Sequence, residues 1–189
     1  VKSQAKWLDY ISSQSDRMSE LAEDMLALSV LDNMKIKPIF NRFNLSKTLS
    51  STILSFEAIF FENNITIHTQ IQADVFINGD EEGIKKVINI LIDNAVKNTP
   101  ENGEITASLA VEKNKIKITV KNSGRGIPAE HLEKIFERFY RADTSRARES
   151  GGYGLGLAIA KSIVEKHQGN IYARSNPGAD TTFIVELKA

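Results

Sequence analysis

Two glycine clusters enclose an aromatic, arginine-bearing stretch of this 189-residue chain. The first is Asn122-Ser123-Gly124-Arg125-Gly126-Ile127-Pro128 and the second is Gly151-Gly152-Tyr153-Gly154-Leu155-Gly156-Leu157. Phe136-Glu137-Arg138-Phe139-Tyr140-Arg141 lies between them. Glycine permits positive φ and close backbone approach, so paired clusters around a basic loop suggest main-chain amides wrapped around an anion. The second cluster runs into Leu157-Ala158-Ile159-Ala160, which reads as a helix start, and a helix N-terminus favours phosphate. Together these features point to a nucleotide site. Neither common phosphate fingerprint applies. The dinucleotide motif needs a preceding strand and a later acidic ribose ligand, and the Walker motif needs Gly-Lys-Ser/Thr, which Leu155-Gly156-Leu157 lacks.

Composition removes other classes. Lysine plus arginine equals aspartate plus glutamate at 24 each, so no global field favours nucleic acid or an anionic membrane. The chain has no cysteine, which excludes a disulfide scaffold, a thiolate metal site and a cysteine nucleophile. No apolar run approaches the roughly 20 residues of a membrane-spanning helix.

Periodicity gives the elements that must position the clusters. Residues 1–32 lack proline and glycine and carry Leu8, Ile11, Met18, Leu21, Met25 and Leu28, one apolar stripe on a long helix. Ile11, Met18 and Met25 recur at heptad spacing, so a coiled-coil or hairpin partner is expected. Lys37-Pro38 breaks the pattern. Asn44 then caps a predicted helix over 45–63, ended by Asn63-Asn64. Alternation predicts strands at 65–71 and 75–77, and Asp80 caps a helix over 81–98 after the Asn78-Gly79 turn. Ile84, Val87, Ile88, Leu91, Ile92 and Ala95 fall on one face of that helix, while Ile90, Asn94 and Lys97 line its edge. Strands at 104–111 and 115–121, a helix over 154–167, and strands at 170–175 and 181–187 complete the chain. The predicted fold is α+β: a two-layer sandwich with helices on one face of a mixed sheet, preceded by a long N-terminal helix.

Four motifs occur in order. They are Asn94-Ala95-x-Lys97-x-Thr99-Pro100, the Asn122–Pro128 cluster, Phe136–Arg141, and Gly152-x-Gly154-Leu155-Gly156-Leu157-Ala158-Ile159. This combination resembles the ATP-binding catalytic domain of sensor histidine kinases, a Bergerat-type (GHKL) fold shared with gyrase, Hsp90 and MutL. The resemblance covers about 45–189 and extends to 1–33. There, Ser15-x-Arg17-Met18-x-x-Leu21-x-x-Asp24-Met25-Leu26 looks like the second helix of the family's dimerisation hairpin, with 34–44 as linker. It implies a two-component kinase that moves the γ-phosphoryl group of Mg-ATP to a histidine on the first hairpin helix, for relay to a response-regulator aspartate. It also implies a homodimer through the hairpin and a cytoplasmic portion of a membrane-anchored parent, with no nucleic-acid partner.

The resemblance assigns roles residue by residue. Asn94 matches the family's magnesium ligand, a neutral amide oxygen completing a shell of phosphate and water oxygens. Lys97 and Arg141 are the expected catalytic cations, with Arg141 reaching the γ-phosphate. Taken alone, Asn94 reads as a polar residue at a core margin and Lys97 as a solvated charge. Asn122 would accept from the adenine 6-amino group beside Gly124, Gly126 and Ile127, and Asn98, Phe139, Tyr140 and Thr182 are also expected near the nucleotide. Gly152, Gly154, Leu155, Gly156 and Leu157 are expected at the phosphates, across a mobile lid whose Arg146 and Arg148 add positive charge. Phe136 and Phe139 are expected to anchor that lid to the core.

Departures from the family pattern carry information. Aspartate is usual at position 122; Asn122 keeps an acceptor but loses charge assistance worth about 1 kcal/mol. Position 90 is commonly asparagine in these kinases and glutamate in the related ATPases, and Ile90 can replace neither, which argues against efficient hydrolysis. Asn98 stands where an aromatic is frequent, and Asp180 where a glycine is usual. His68, His131 and His167 lack the His-Glu/Asp-x-x-x-Pro context of the acceptor and read as surface or packing residues. The chain is therefore expected to start just after the phosphorylated helix. Two other readings stay open: a nucleotide-binding regulatory module without kinase activity, and an ATPase clamp.

Overall fold

The computed structural model describes residues 2–32, 39–142 and 153–188. Asn33, residues 34–38 of the expected linker, and Arg146, Arg148, Gly151 and Gly152 lie outside the described residues.

The first helix, α1 (Lys2–Asp32), is continuous as its composition predicts. Leu28 is buried, and Leu21, Ala27 and Leu31 pack on the core beside it. Asp24 adds an ion pair to Lys86 at 3.9 Å. The heptad residues point elsewhere: Ile11, Met18 and Met25 are 60%, 69% and 52% exposed, so this stripe does not pack on the chain's own domain. Among the described residues, no helix is long and apolar enough to cross a membrane.

The expected linker 34–44 contains a strand. β1 (Asn41–Asn44) pairs antiparallel with β3 (Phe76–Gly79), so the globular part begins before residue 45. Asn44 ends β1 and caps α2 (Leu45–Leu54), its side chain accepting from the Lys47 amide at 3.0 Å. The single helix expected over 45–63 is broken at Ser55-Phe56 and resumes as α3 (Glu57–Glu62). The break has a local cause. Ser51 and Thr52 hydroxyls donate back to Thr48 O at 3.1 and 2.7 Å, and Ser55 donates to Thr52 O at 2.6 Å. Such back-bonding competes with the helical ladder and bends or ends it.

The main sheet has the order β2-β4-β5-β7-β6. Its strands are β2 (Thr66–Ile71), β4 (Glu104–Glu112), β5 (Lys115–Ser123), β6 (Asn170–Asn176) and β7 (Asp180–Lys188). β2 and β4 are parallel and the remaining pairs antiparallel, which gives the mixed sheet expected. Ile105, Ala107, Leu109, Ile116, Ile118, Val120, Phe183, Val185 and Leu187 form its buried inner face. Strand alternation sends Thr106, Ser108, Lys117, Thr119 and Glu186 to the other face.

The helix α4 (Glu81–Asn98) packs against this inner face, and α5 (Gly156–Lys166) lies beside it. Asp80 caps α4 through the Gly83 amide at 3.1 Å, and Ile84, Val87, Ile88, Leu91, Ile92 and Ala95 are all 0% exposed. Burial of each large aliphatic side chain contributes about 1.5–3 kcal/mol, so this one face holds the two layers together. The layers are those the sequence predicts. At the far end of α5, His167 is a packing residue, with Nδ1 bonded to Ile163 O at 2.8 Å and its ring stacked on Phe40.

Candidate nucleotide site

The site is arranged around α4. Asn94 and Lys97 lie on one edge of that helix, one turn after Ile90. Gly156 opens α5 directly against this edge: a Cβ there would lie 3.4 Å from Ile90 Cγ2. At the other end, a Cβ on Gly124 would lie 2.5 Å from Asn98 O. Only glycine lets the β5 exit come so close to the end of α4, and Gly124 has φ 150°. Three of the four motifs therefore meet along one helix edge, between the start of α5 and the end of β5.

The start of α5 has no capping side chain at its cap position. Leu155 occupies the cap position and makes no side-chain cap hydrogen bond. Its side chain is fully buried, so it anchors the turn and is not itself a polar contact. The first amides of a helix have no intrahelical acceptor, and their dipole favours a negative group. Leu157 packs on the core beside Leu155. Gly154 sits tightly against the chain leaving the aromatic motif: a Cβ there would lie 2.8 Å from Tyr140 O, and Gly154 O accepts from the Phe139 amide at 2.9 Å.

Asn122 supplies the most informative atom. Its residue is 3% exposed, and its Nδ2 donates to Ser123 O at 2.9 Å. Its Oδ1 is buried with no hydrogen-bond partner. Flipping the amide would set an oxygen against the Ser123 carbonyl, so the orientation follows from the contact. A buried acceptor without a partner costs about 1–3 kcal/mol, which marks a place for a donor.

The polar neighbours of α4 constrain one another. Asn98 Nδ2 donates to Asn94 O at 2.8 Å and to Asn94 Oδ1 at 3.1 Å. Lys97 Nζ lies 2.7 Å from Asp93 Oδ2, an (i, i+4) pair of two half-exposed side chains. Asp180, the departure from glycine, clasps the β6–β7 turn: it pairs with Lys121 at 3.0 Å and accepts from Asn176 Nδ2 at 3.0 Å.

Other expected residues fall differently. Thr182 pairs with Lys121 across the strands and lies on the outer face of the sheet, so the structure does not bring it to Asn122. The hydroxyl that shares the face of Asn122 is Thr181, its direct cross-strand partner and 5% exposed. Thr181 Oγ1 lies 3.0 Å from Ser175 Oγ, which accepts from the Ile127 amide at 2.8 Å. Neither hydroxyl is expected from the sequence, because the signal is strand parity with Asn122, which depends on register. A Cβ on Gly126 would lie 2.5 Å from Asn176 O, so Gly126 and Ile127 hold the β5 exit against the β6–β7 turn.

The aromatic motif also divides. Phe136 is buried and meets Phe183 edge-on at 6.4 Å, the expected anchor. Phe139 is 60% exposed and does not anchor anything to the core, contrary to expectation. The Tyr140 hydroxyl bonds to His131 Nδ1, while its ring packs on the core. Arg141 is half-buried beside it. Gly152 lies outside the described residues.

The titration-sensitive network sits on the opposite side of the sheet. Glu186 accepts from Lys115 Nζ at 2.8 Å and from the Tyr172 hydroxyl at 3.0 Å. Those bonds hold its carboxyl below the usual range, the Lys115 bond contributing most. Lys115 is correspondingly raised by its bond to Glu186, and Tyr172 is raised by burial first and by Glu186 second.

Fold and site together define the class. Residues 79–189 match the family described as histidine kinase-, DNA gyrase B- and HSP90-like ATPase, and the chain belongs to that family. Among its relatives are sensor histidine kinases. The chain is 38% identical over 168 residues to the sensor protein DltS of Streptococcus agalactiae serotype III (strain NEM316), covering 89% of this chain and 42% of that one. It is 37% identical over 186 residues to the sensor histidine kinase WalK of Bacillus subtilis (strain 168), covering 96% of this chain and 30% of that one. The chain thus spans less than half the length of these relatives. The nucleotide-free catalytic domain of histidine kinase ThkA superposes with TM-score 0.70 at 32% identity, over 79% of this chain and 95% of that domain. ThkA in complex with the response regulator TrrA matches with TM-score 0.78 at 27% identity, over 95% of this chain and 50% of that one.

Proposed function

We propose that this chain is the ATP-binding catalytic region of a two-component sensor histidine kinase. The observation that carries the reading is the buried, unpaired Oδ1 of Asn122 at the end of β5, beside the glycine that abuts α4. An adenine 6-amino group is a donor of the required kind, and the open amides of α5 suit a triphosphate. The residues present therefore fit ATP.

A magnesium ion would supply charge neutralisation between phosphate oxygens. Asn94 is the residue to hold it: its Oδ1 accepts one hydrogen bond from Asn98 and keeps a second lone pair for a hard cation. Lys97 and Arg141 supply further positive charge, so the chain's own contribution is positioning and electrostatic stabilisation of a phosphoryl transfer. The γ-phosphoryl group would pass to a histidine on a helix preceding α1 in the longer parent, and from there to a response-regulator aspartate.

We assign 1–33 to the second hairpin helix and place the start of the catalytic domain at β1, because β1 is a strand of its small sheet. The exposed Ile11–Met18–Met25 stripe suits the partner helices of a homodimer. The parent is assigned to the membrane, with this portion on the cytoplasmic side. The test mixes the chain with a protein carrying the parent's acceptor helix and radiolabelled Mg-ATP. Acid-labile, base-stable label on histidine is the expected product. Tight ATP binding without phosphohistidine would sink the kinase reading and leave a binding module.

A further inference from the structure

One rung of the sheet crosses four strands as Ile105, Asn122, Thr181 and Ser175, each directly opposite the next. The hydroxyl at its end is saturated. Ser175 Oγ donates to Asp180 O at 2.6 Å, and a carbonyl can only accept. It accepts from the Ile127 amide at 2.8 Å, and an amide can only donate. Its single proton is therefore spent on Asp180. The remaining contact, 3.0 Å to Thr181 Oγ1, requires Thr181 to be the donor.

That assignment fixes the proton of Thr181 as well. With its O–H turned to Ser175, Thr181 has only lone pairs left for any other partner. Its neighbour on the rung, Asn122, turns its amide protons toward Ser123 and leaves Oδ1 unpaired. We propose that Ser175 sets the base preference of the site by consuming the Thr181 proton, so that Asn122 and Thr181 present acceptors only and select a 6-amino purine over a 6-oxo purine. This inference rests on the nucleotide reading of the site. The oxygen of a 6-oxo group brings no proton to either acceptor, that base's one proton on this edge sitting on ring N1, whereas a 6-amino group brings two donors. Ser175 is a positioning residue: it acts through Thr181 and touches no base.

The test is calorimetric titration of the chain with Mg-ATP and Mg-ITP, which differ in the 6-substituent and in the proton that the 6-oxo base carries on N1. The wild-type chain is expected to bind ATP at least a hundredfold more tightly than ITP. Ser175→Ala frees the Thr181 hydroxyl to rotate and donate, and should narrow that ratio about tenfold, chiefly by tightening ITP. Ser175→Thr retains the hydroxyl and should restore the ratio, an outcome that a merely structural role would not require. Thr181→Val keeps the side-chain shape and removes the acceptor, so it should narrow the ratio by weakening ATP, even if Ser175→Ala is too unstable to titrate. An unchanged ATP/ITP ratio in folded Ser175→Ala or Thr181→Val, while ATP still binds, overturns the inference alone. Failure of the wild-type chain to bind either nucleotide overturns the site reading and the inference with it.

Discussion

The backbone amide of Asp80 donates to Nε2 of His167 across 2.9 Å, tying the start of α4 to the end of α5. Because Nδ1 is engaged with the Ile163 carbonyl, only the neutral Nδ1–H tautomer satisfies both bonds. A histidine unused by phosphate chemistry thus joins the two helices of the nucleotide-binding layer. Replacing it with phenylalanine keeps a ring to stack on Phe40 but leaves the Asp80 amide without its acceptor. The expected cost is about 1–3 kcal/mol by urea denaturation. ATP affinity should change less than threefold, since the site lies at the opposite end of α5.

Asn122 should separate function from stability. Asn122→Val removes the acceptor offered to the base and should weaken ATP binding at least tenfold, about 1.4 kcal/mol. It also removes the penalty of an unpaired buried oxygen, so the nucleotide-free melting temperature should hold or rise. Calorimetry and a thermal melt of the same preparation check both halves. A clear loss of apo stability would make Asn122 a structural residue.

Asn94 should report the metal. Asn94→Ala is expected to abolish the difference between ATP affinity in magnesium and in EDTA, while affinity in EDTA changes little. Titration under both conditions reads this directly. A retained magnesium effect would move the cation to other ligands.

The outer face of the sheet should govern the acid and alkaline limbs of stability. Glu186 has a lowered carboxyl, so its contribution is complete above the ordinary value of 4.5 and is lost as pH falls through the lowered value. Lys115 is raised, so its contribution is complete below the ordinary 10.5 and is lost as pH rises through the raised value. Glu186→Gln should lower the melting temperature at pH 7 and flatten its decline below pH 4.5. An acid limb identical to wild type would show that the Lys115–Glu186–Tyr172 network carries no stability.

Where the chain writes its own instructions, the fold is legible. α4 announces itself through an Asp80 cap and a six-residue apolar face, all of it buried. No glycine or proline marks the break at Ser55-Phe56; hydroxyls bonding backward end the helix there, and their rotamers are invisible in a sequence. β1 gives no signal, because Asn41-Arg42-Phe43-Asn44 holds one apolar residue and shows no alternation; its pairing with β3 makes it a strand. Thr182 is expected near the nucleotide, yet the hydroxyl on the face of Asn122 belongs to Thr181, one residue earlier. In a strand, one residue reverses the face, and the facing of this pair depends on register with Asn122, some sixty positions earlier in the chain. Gly124, Gly126 and Gly154 stand out in the sequence by residue type, while the atoms that demand them, Asn98 O, Asn176 O and Tyr140 O, lie elsewhere in the chain.

The joined ends of α4 and α5 have a mechanical consequence. The two helices run antiparallel, with His167 beside Asp80 at one end and Gly156 facing Ile90 at the other. α4 has 18 residues and α5 has 11, so about 10 Å of α4 continues past its companion. α4 is therefore a cantilever: α5 splints its first half, and its overhang carries Asn94, Lys97 and Asn98. A ligand held at the first amides of α5 would lie alongside that overhang, within the length by which one helix outruns the other.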